Sequence, residues 1–331
     1  MDILAQMKQK AKSLRGAVVL PESWDERTLR AARMLLDEEI CRVILVGDPV
    51  KVLTDVANLG ISTADMEIWA PDCHPDIEKY ADFLYEKRKA KGLSREEAGK
   101  QVRNPLYFGC CLVQFGVVSG MVAGAYSATA DVLRAALHVV GVKPGLKTVS
   151  SSFIMIIPDH DGGPERVMMF GDCAVVPAPT AEQLADIAQS TAETGRKLLG
   201  IKPKVALLSF STRGSAEHEL VDKVRAAKAM LEERKVDFEF DGELQADAAI
   251  VPTVGERKAP GSAVAGHANV LVFPDLQAGN IGYKLVQRLA GAEAVGPVIQ
   301  GLAAPVCDLS RGCSVEDVAN TAVLVLLMSQ A

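Results

Sequence analysis

The stretch 301–317, GLAAPVCDLSRGCSVED, brings the Ser310 hydroxyl, the Arg311 guanidinium and the carboxylates of Glu316 and Asp317 close to the start of one helix. Residues 301–305 read as a loop leaving a buried strand, and Ser310-Arg311-Gly312 as a tight polar turn. Ser314 then opens an apolar helix, VANTAVLVLL, that runs almost to the end of the chain. A helix N-terminus carries unpaired N–H groups and a partial positive charge, so it suits an anion or a developing oxyanion. Ser310 and Arg311 are the candidates to hold such a group, against the plain reading of a polar turn with a surface arginine. Asp317 has two readings. It can serve as a general base, or it can close a capping box from the third position after Ser314.

Other residues offer anion chemistry earlier in the chain. Ser127 and Thr129 follow a strand of small residues (120–125) and precede a helix, the placement of a phosphate cradle or of an ordinary N-cap. Arg134 sits on an otherwise apolar helix, LRAALHVVGV, and needs an anionic partner. Arg88 lies in a charged helix, EKYADFLYEKRKAKG, where a solvated face is the default. Cys307 and Cys313 flank the Ser-Arg pair and raise the alternative of an acyl-cysteine, but neither has a histidine nearby in sequence. The five histidines (74, 138, 160, 218, 267) show no metal-ligand spacing, and Asp159-His160-Asp161 reads as a solvated polar turn. No glycine run matches a dinucleotide fingerprint or a P-loop.

These residues need a frame, and 331 residues suffice for two domains with separate cores. Strand, helix and strand alternate at short spacing: strands at 17–20, 42–46, 67–69 and 120–125, then 148–158, 167–170, 204–210, 248–252, 270–274 and 294–300. Ser94-x-x-Glu97 and Thr180-x-x-Gln183 are capping boxes. Lys143-Pro144-Gly145 reads as a hinge. We expect an α/β protein of two domains with mainly parallel sheets. Domain I would comprise 1–145 and 300–331, if the last helix packs back on the first half, and domain II 146–299. A hydrophobic fraction of 49% with 5% aromatic residues fits an aliphatic α/β core. No apolar run reaches the ~18 residues of a membrane span, and the N-terminus lacks the pattern of a signal peptide. A net charge of −6 gives no support for nucleic-acid binding. Seven unpatterned cysteines suggest reduced thiols and a cytoplasmic setting.

Several blocks, in order and spanning essentially the whole chain, resemble the phosphate acetyltransferase (phosphotransacetylase) family. They are SSFIMIIP, FGDCAVVPAPTAEQLADIA, LSFSTRGSA, DGELQADAAIVP, VLVFPDLQAGNIGYKLVQRLAGAEAVGPVIQG and DLSRGCSVED. The resemblance implies reversible transfer of an acetyl group between coenzyme A and inorganic phosphate. It also implies an isocitrate dehydrogenase-like fold with a cleft between the domains, a homodimer, and no metal or prosthetic group. Carried over by position, the catalytic Ser-Arg pair falls on Ser310 and Arg311 and the general base on Asp317. The arginines tied to coenzyme A fall on Arg88, Arg134 and Arg27. Tyr126 departs from the family's usual histidine or similar polar residue before the Ser127–Thr129 loop.

The chemistry sets a constraint on Asp317. A free thiol titrates near 8.5 and a free aspartate near 3.9, so full proton transfer is uphill by about 6 kcal/mol. We therefore expect burial to raise the Asp317 pKa and Arg311 to lower that of the thiol, with deprotonation concerted with attack. A butyryltransferase with a roomier acyl pocket would use the same chemistry. A non-catalytic coenzyme A-sensing module is the alternative from a different class; Ser310, Arg311 and Asp317 together on one chain count against it.

Overall fold

The computed structural model describes residues 3–159 and 165–330, so the expected turn at 159–161 lies largely outside them. The chain divides into two compact units, Met1–Lys143 with Leu302–Ala331, and Pro144–Gly301.

In the first unit, strands β1 (Ala17–Leu20), β2 (Arg42–Val46), β3 (Glu67–Trp69) and β4 (Gly120–Ala123) pair in parallel, joined later by a strand at Val306–Asp308. The sheet order is Val306–Asp308, β4, β1, β2, β3. The chain thus builds outward from β1 to β3, then crosses to the other side of β1 to lay down β4. That reversal opens a crevice at the strands' carboxyl ends, the place where parallel α/β sheets bind ligands. β1 and β4 are buried along their whole length, as expected of strands covered on both faces. The last helix, Val315–Met328, packs against helices Ile3–Ser13 and Glu26–Asp37 and against β4. Its Val318 and residues 321–327 are all buried.

The second unit carries β5 (Ser150–Ile157), β6 (Arg166–Gly171), β7 (Lys204–Leu208), β8 (Glu239–Leu244), β9 (Val270–Val272) and β10 (Glu293–Gln300). With Val306–Asp308 numbered β11, its order is β10-β5-β6-β9-β7-β8. The pairs β6–β9, β9–β7 and β7–β8 are parallel, while β10–β5 and β5–β6 are antiparallel. Both expected capping boxes form: Ser94 with Glu97, and Thr180 with Gln183 at the head of helix Ala181–Leu199.

Two expectations are corrected, and one strand is added. Residues 248–252 are not a strand but parts of two short helices, Ala246–Ile250 and Pro252–Lys258. A short apolar run does not distinguish a strand from a buried helical turn. The strand of that region is β8, whose Asp241 and Glu243 disguise it. Both carboxylates are buried against cations: Asp241 on Arg213 (2.7 Å) and Lys228 (3.0 Å), Glu243 on Arg225 (3.1 Å). Nor is 294–300 the last strand, because β11 follows it and pairs with β4.

Candidate active site

The carboxyl ends of β1, β4 and β11 lead into three loops, and Ser127, Ser310 and Arg311 lie on them, while Arg27, Thr129 and Asp317 stand in the first turns of the helices that follow. The loop after β1 carries Glu22 and Asp25, the loop after β4 carries Ser127, and Ser310 and Arg311 follow β11. Ala123 O accepts from Leu309 N at 2.8 Å, so the ladder between β4 and β11 runs right up to the Ser310 turn. There Ser310 Oγ accepts from Gly312 N at 3.2 Å and Ser310 O from Cys313 N at 2.9 Å. With its oxygen fixed as an acceptor, the Ser310 hydroxyl keeps its proton to give to a ligand. Arg311 is exposed.

Asp317 does form the capping box. Its Oδ2 accepts from Ser314 N (2.8 Å) and its N–H donates to Ser314 Oγ (3.0 Å). The two readings of this residue are compatible, because one carboxylate oxygen stays outside the cap. The burial expected around it is absent: Asp317 is exposed. The apolar face of its helix turns into the first unit's core, which leaves the opening turn on the surface.

Arg27 is the brace of the site. All five of its N–H groups are engaged: Nε with Asp25 Oδ1 (3.0 Å), Nη1 with Arg311 O (2.8 Å) and Cys313 O (3.0 Å), Nη2 with Asp25 Oδ2 (2.7 Å) and Ala125 O (2.6 Å). The hydrogen bond from Arg27 holds the Asp25 carboxyl below its ordinary range. Expected as a coenzyme A ligand, Arg27 has no donor left over here and instead ties the β4 loop to the Ser310–Cys313 turn. Its Nη1 also lies 3.6 Å from Cys313 Sγ. Burial nonetheless raises the Cys313 thiol above its ordinary pKa, with Arg27 opposing. That is the environment of an inert thiol rather than a nucleophile.

The loop after β4 is a cradle of backbone N–H groups, and the protein's own carboxylate fills it. Glu22, only 1% exposed, accepts from Gly124 N (2.9 Å), Tyr126 N (3.3 Å) and Ser127 N (2.7 Å). Thr129 donates its hydroxyl proton to Asp308 Oδ2 at 2.6 Å. The expected phosphate contacts at Ser127 and Thr129 therefore change character: the Ser127 amide and the Thr129 proton are already committed, and the Ser127 hydroxyl is what remains. Glu22 was not singled out in the sequence, though a glutamate directly after an apolar strand and a proline (VVLPES) was a readable signal.

Asp308 is the second carboxylate that sequence reading passed over. It is 4% exposed, and its Oδ1 is buried with no hydrogen-bond partner. Gly124, at φ +103°, makes room for it: a Cβ there would stand 2.3 Å from Asp308 Oδ1. Desolvation, helped by the nearby Glu22 charge, pushes Asp308 up to about 6, against the pull of the Thr129 hydrogen bond. A folded-state pKa above the unfolded value of about 3.9 contributes stability at low pH, lost as pH rises through about 6. Asp308→Asn removes that titration. Against wild type it should therefore gain about 2 kcal/mol between pH 4 and pH 7.5, read from denaturant midpoints at the two pH values. A difference between the two proteins that stays flat with pH would show that Asp308 does not titrate in that window.

The two remaining arginines stand near helix Thr129–Val139. Arg134 is exposed and pairs with Asp131 on its own helix at 2.6 Å, so its anionic partner is local. An exposed pair of this kind is weak and readily exchanged for a stronger anion. Arg88, at the end of helix Ile77–Arg88, is half-buried rather than solvated, with Nη2 2.9 Å from His138 Nε2. Among the described residues no group of three or more His, Cys, Asp or Glu side chains could hold a metal ion. No helix among them is long and apolar enough to cross a membrane.

A parallel sheet whose switch-point loops gather Glu22, Ser127, Ser310 and Arg311 marks an α/β protein with its candidate site at the strands' carboxyl ends. Solved structures carry the same fold. The chain is 42% identical to a EutD phosphotransacetylase from Staphylococcus aureus (TM-score 0.91) and 42% identical to a phosphotransacetylase from Streptococcus pyogenes (TM-score 0.93). Each match covers 99% of this chain and 98% of the other. A family model described as phosphate acetyl/butaryl transferase matches residues 2–326, and the chain belongs to that family. A relative from Thermoanaerobacterium thermosaccharolyticum named phosphate acetyltransferase is 50% identical over 330 residues, covering 100% of both chains. One of the same name from Clostridium acetobutylicum is 48% identical over 330 residues, covering 100% of this chain and 99% of its own.

Proposed function

We propose that the chain catalyses acetyl-CoA + phosphate ⇌ acetyl phosphate + CoA. The observation that carries this reading is the Ser310-Arg311 turn beside the Asp317 helix start, at the carboxyl edge of β4 and β11. End-to-end relatives named phosphate acetyltransferase supply the acyl group and its acceptor. Starting from acetyl phosphate, Asp317 takes the proton of the coenzyme A thiol and the sulfur attacks the carbonyl carbon. Ser310 donates to, and Arg311 offsets, the charge that gathers on the tetrahedral oxygen and then on the departing phosphate. The C–O bond to phosphate breaks as the thioester forms, and no acyl-enzyme intervenes. Both substrates are bound together, so positioning supplies much of the acceleration.

Formation of the thioester from acetyl phosphate and coenzyme A, followed by its absorbance, tests the reading. Butyryl phosphate run in parallel separates the acetyl enzyme from the butyryl enzyme that the family description also covers. Binding of coenzyme A without thioester formation would turn the conclusion toward a sensing module.

The substrates under this reading are small molecules, with coenzyme A consumed rather than resident. The absence of a disulfide among the described cysteines suits a reducing, cytoplasmic setting. A homodimer is the assembly we propose. Helix Leu276–Leu289 exposes Ile281 (57%), Leu285 (51%) and Leu289 (81%) at four-residue intervals, an apolar stripe along one face. Leu285→Glu should convert the dimer to a monomer in light scattering; an unchanged mass would place the interface elsewhere.

A further inference from the structure

The half-buried hydrogen-bond chain Arg88–His138–Tyr107 fixes a proton that nothing in the site above uses. Arg88 Nη2 lies 2.9 Å from His138 Nε2, and Tyr107 OH lies 3.0 Å from His138 Nδ1. A guanidinium has donors only, so His138 Nε2 must accept. The imidazole is held neutral, because burial and then the charges of Arg88, Arg134 and Lys91 lower its pKa. Its single N–H is therefore on Nδ1 and donates to the Tyr107 oxygen. The phenol proton cannot point back along that bond. It is turned away from the imidazole, and Tyr107 lines a pocket of about 450 Å³ together with Trp24, Tyr126, Ser127 and Arg134.

We infer that Tyr107, oriented by His138, is a phosphate-binding donor that acts with Arg134 on a phosphate group of the coenzyme A nucleotide. The inference rests on the coenzyme A reading above and deepens it. The pocket lies beside the loop that carries Ser127, yet its cation, Arg134, sits a full helical turn from the N-terminus of helix Thr129–Val139. A phosphate here would meet one mobile guanidinium, released from Asp131, and one neutral donor whose direction is set before binding. Pre-orientation matters because the phenol loses no further rotational freedom when the ligand arrives. Arg88, by this account, is anchored on the imidazole and fixes its tautomer.

Tyr107→Phe keeps the ring and removes the donor. It should raise KM for coenzyme A about ten-fold, the cost of a hydrogen bond to a charged group, with kcat and KM for acetyl phosphate held. Calorimetric titration of coenzyme A should show the same ten-fold loss without turnover. Dephospho-coenzyme A distinguishes the two sources of phosphate. A penalty that vanishes with it assigns Tyr107 to the 3′-phosphate; one that persists assigns it to the pyrophosphate. His138 is a positioning residue, and its test is a rescue. His138→Ala should reproduce the Tyr107→Phe defect, while His138→Asn, which restores an N–H at the Nδ1 position, should recover most of it. In wild type, a proton-coupled imidazole ¹⁵N resonance on Nδ1 rather than Nε2 is expected. Tyr107→Phe with unchanged affinity for coenzyme A, in an enzyme that makes thioester normally, would overturn the inference while leaving the activity intact. No thioester from wild type would instead strike the reading beneath it.

Discussion

Asp317→Asn is expected to lower kcat by a factor of about 10²–10⁴, the range for a positioned general base, while the fold persists. The asparagine carbonyl still accepts from Ser314 N–H, so the capping box survives in outline. What is lost at the helix start is a negative charge near the positive end of the dipole, about 0.3–1 kcal/mol. Asp317→Ala loses the reach-back contact as well, and should melt lower than the asparagine variant with no further loss of turnover. The two variants therefore separate the two jobs of one side chain. Wild type and Asp317→Asn sharing one pH–rate profile, in height and shape, would take the base role away from this residue.

Ser310→Ala should cost about 10²–10³ in kcat, the loss of one oxyanion donor worth roughly 2.7–4 kcal/mol. The reason is directional. The hydroxyl oxygen is held by Gly312 N–H at 3.2 Å, so its proton is free for the developing negative charge. Stability should change little, because Ser310 is exposed and the turn keeps its bond from Cys313 N to Ser310 O. Turnover within a factor of about two of wild type would exclude that donor from the transition state. The structure also distinguishes this effect from a general loosening of the turn. Arg27 holds the carbonyls of Arg311 and Cys313 whether or not the hydroxyl is present.

The alternation of apolar strands and capped helices was enough to determine an α/β chain, because buried parallel strands and helix starts leave local marks. Asp48, Ser94, Thr180 and Ser314 each cap the helix their neighbours begin. The block DLSRGCSVED was legible for the same reason: a polar turn against an apolar helix stands out. Local marks failed where the third dimension supplied the partner. β8 was missed because Asp241 and Glu243 look solvated until Arg213, Lys228 and Arg225 close over them. Glu22 and Asp308 were passed over because a carboxylate after a strand has no pattern of its own. Their burial comes from β1, β4 and β11 lying side by side although 288 positions separate Leu20 from Asp308. Arg27 was readable as an arginine with anion chemistry. Only the folded chain shows its five donors shared between Asp25, Ala125 and the Ser310 turn. Sequence thus determined which groups the protein owns and on which elements they ride. Tertiary structure decided which donors are already engaged and which are left for a ligand, because a hydrogen-bond donor's availability depends on neighbours that the linear chain places far away.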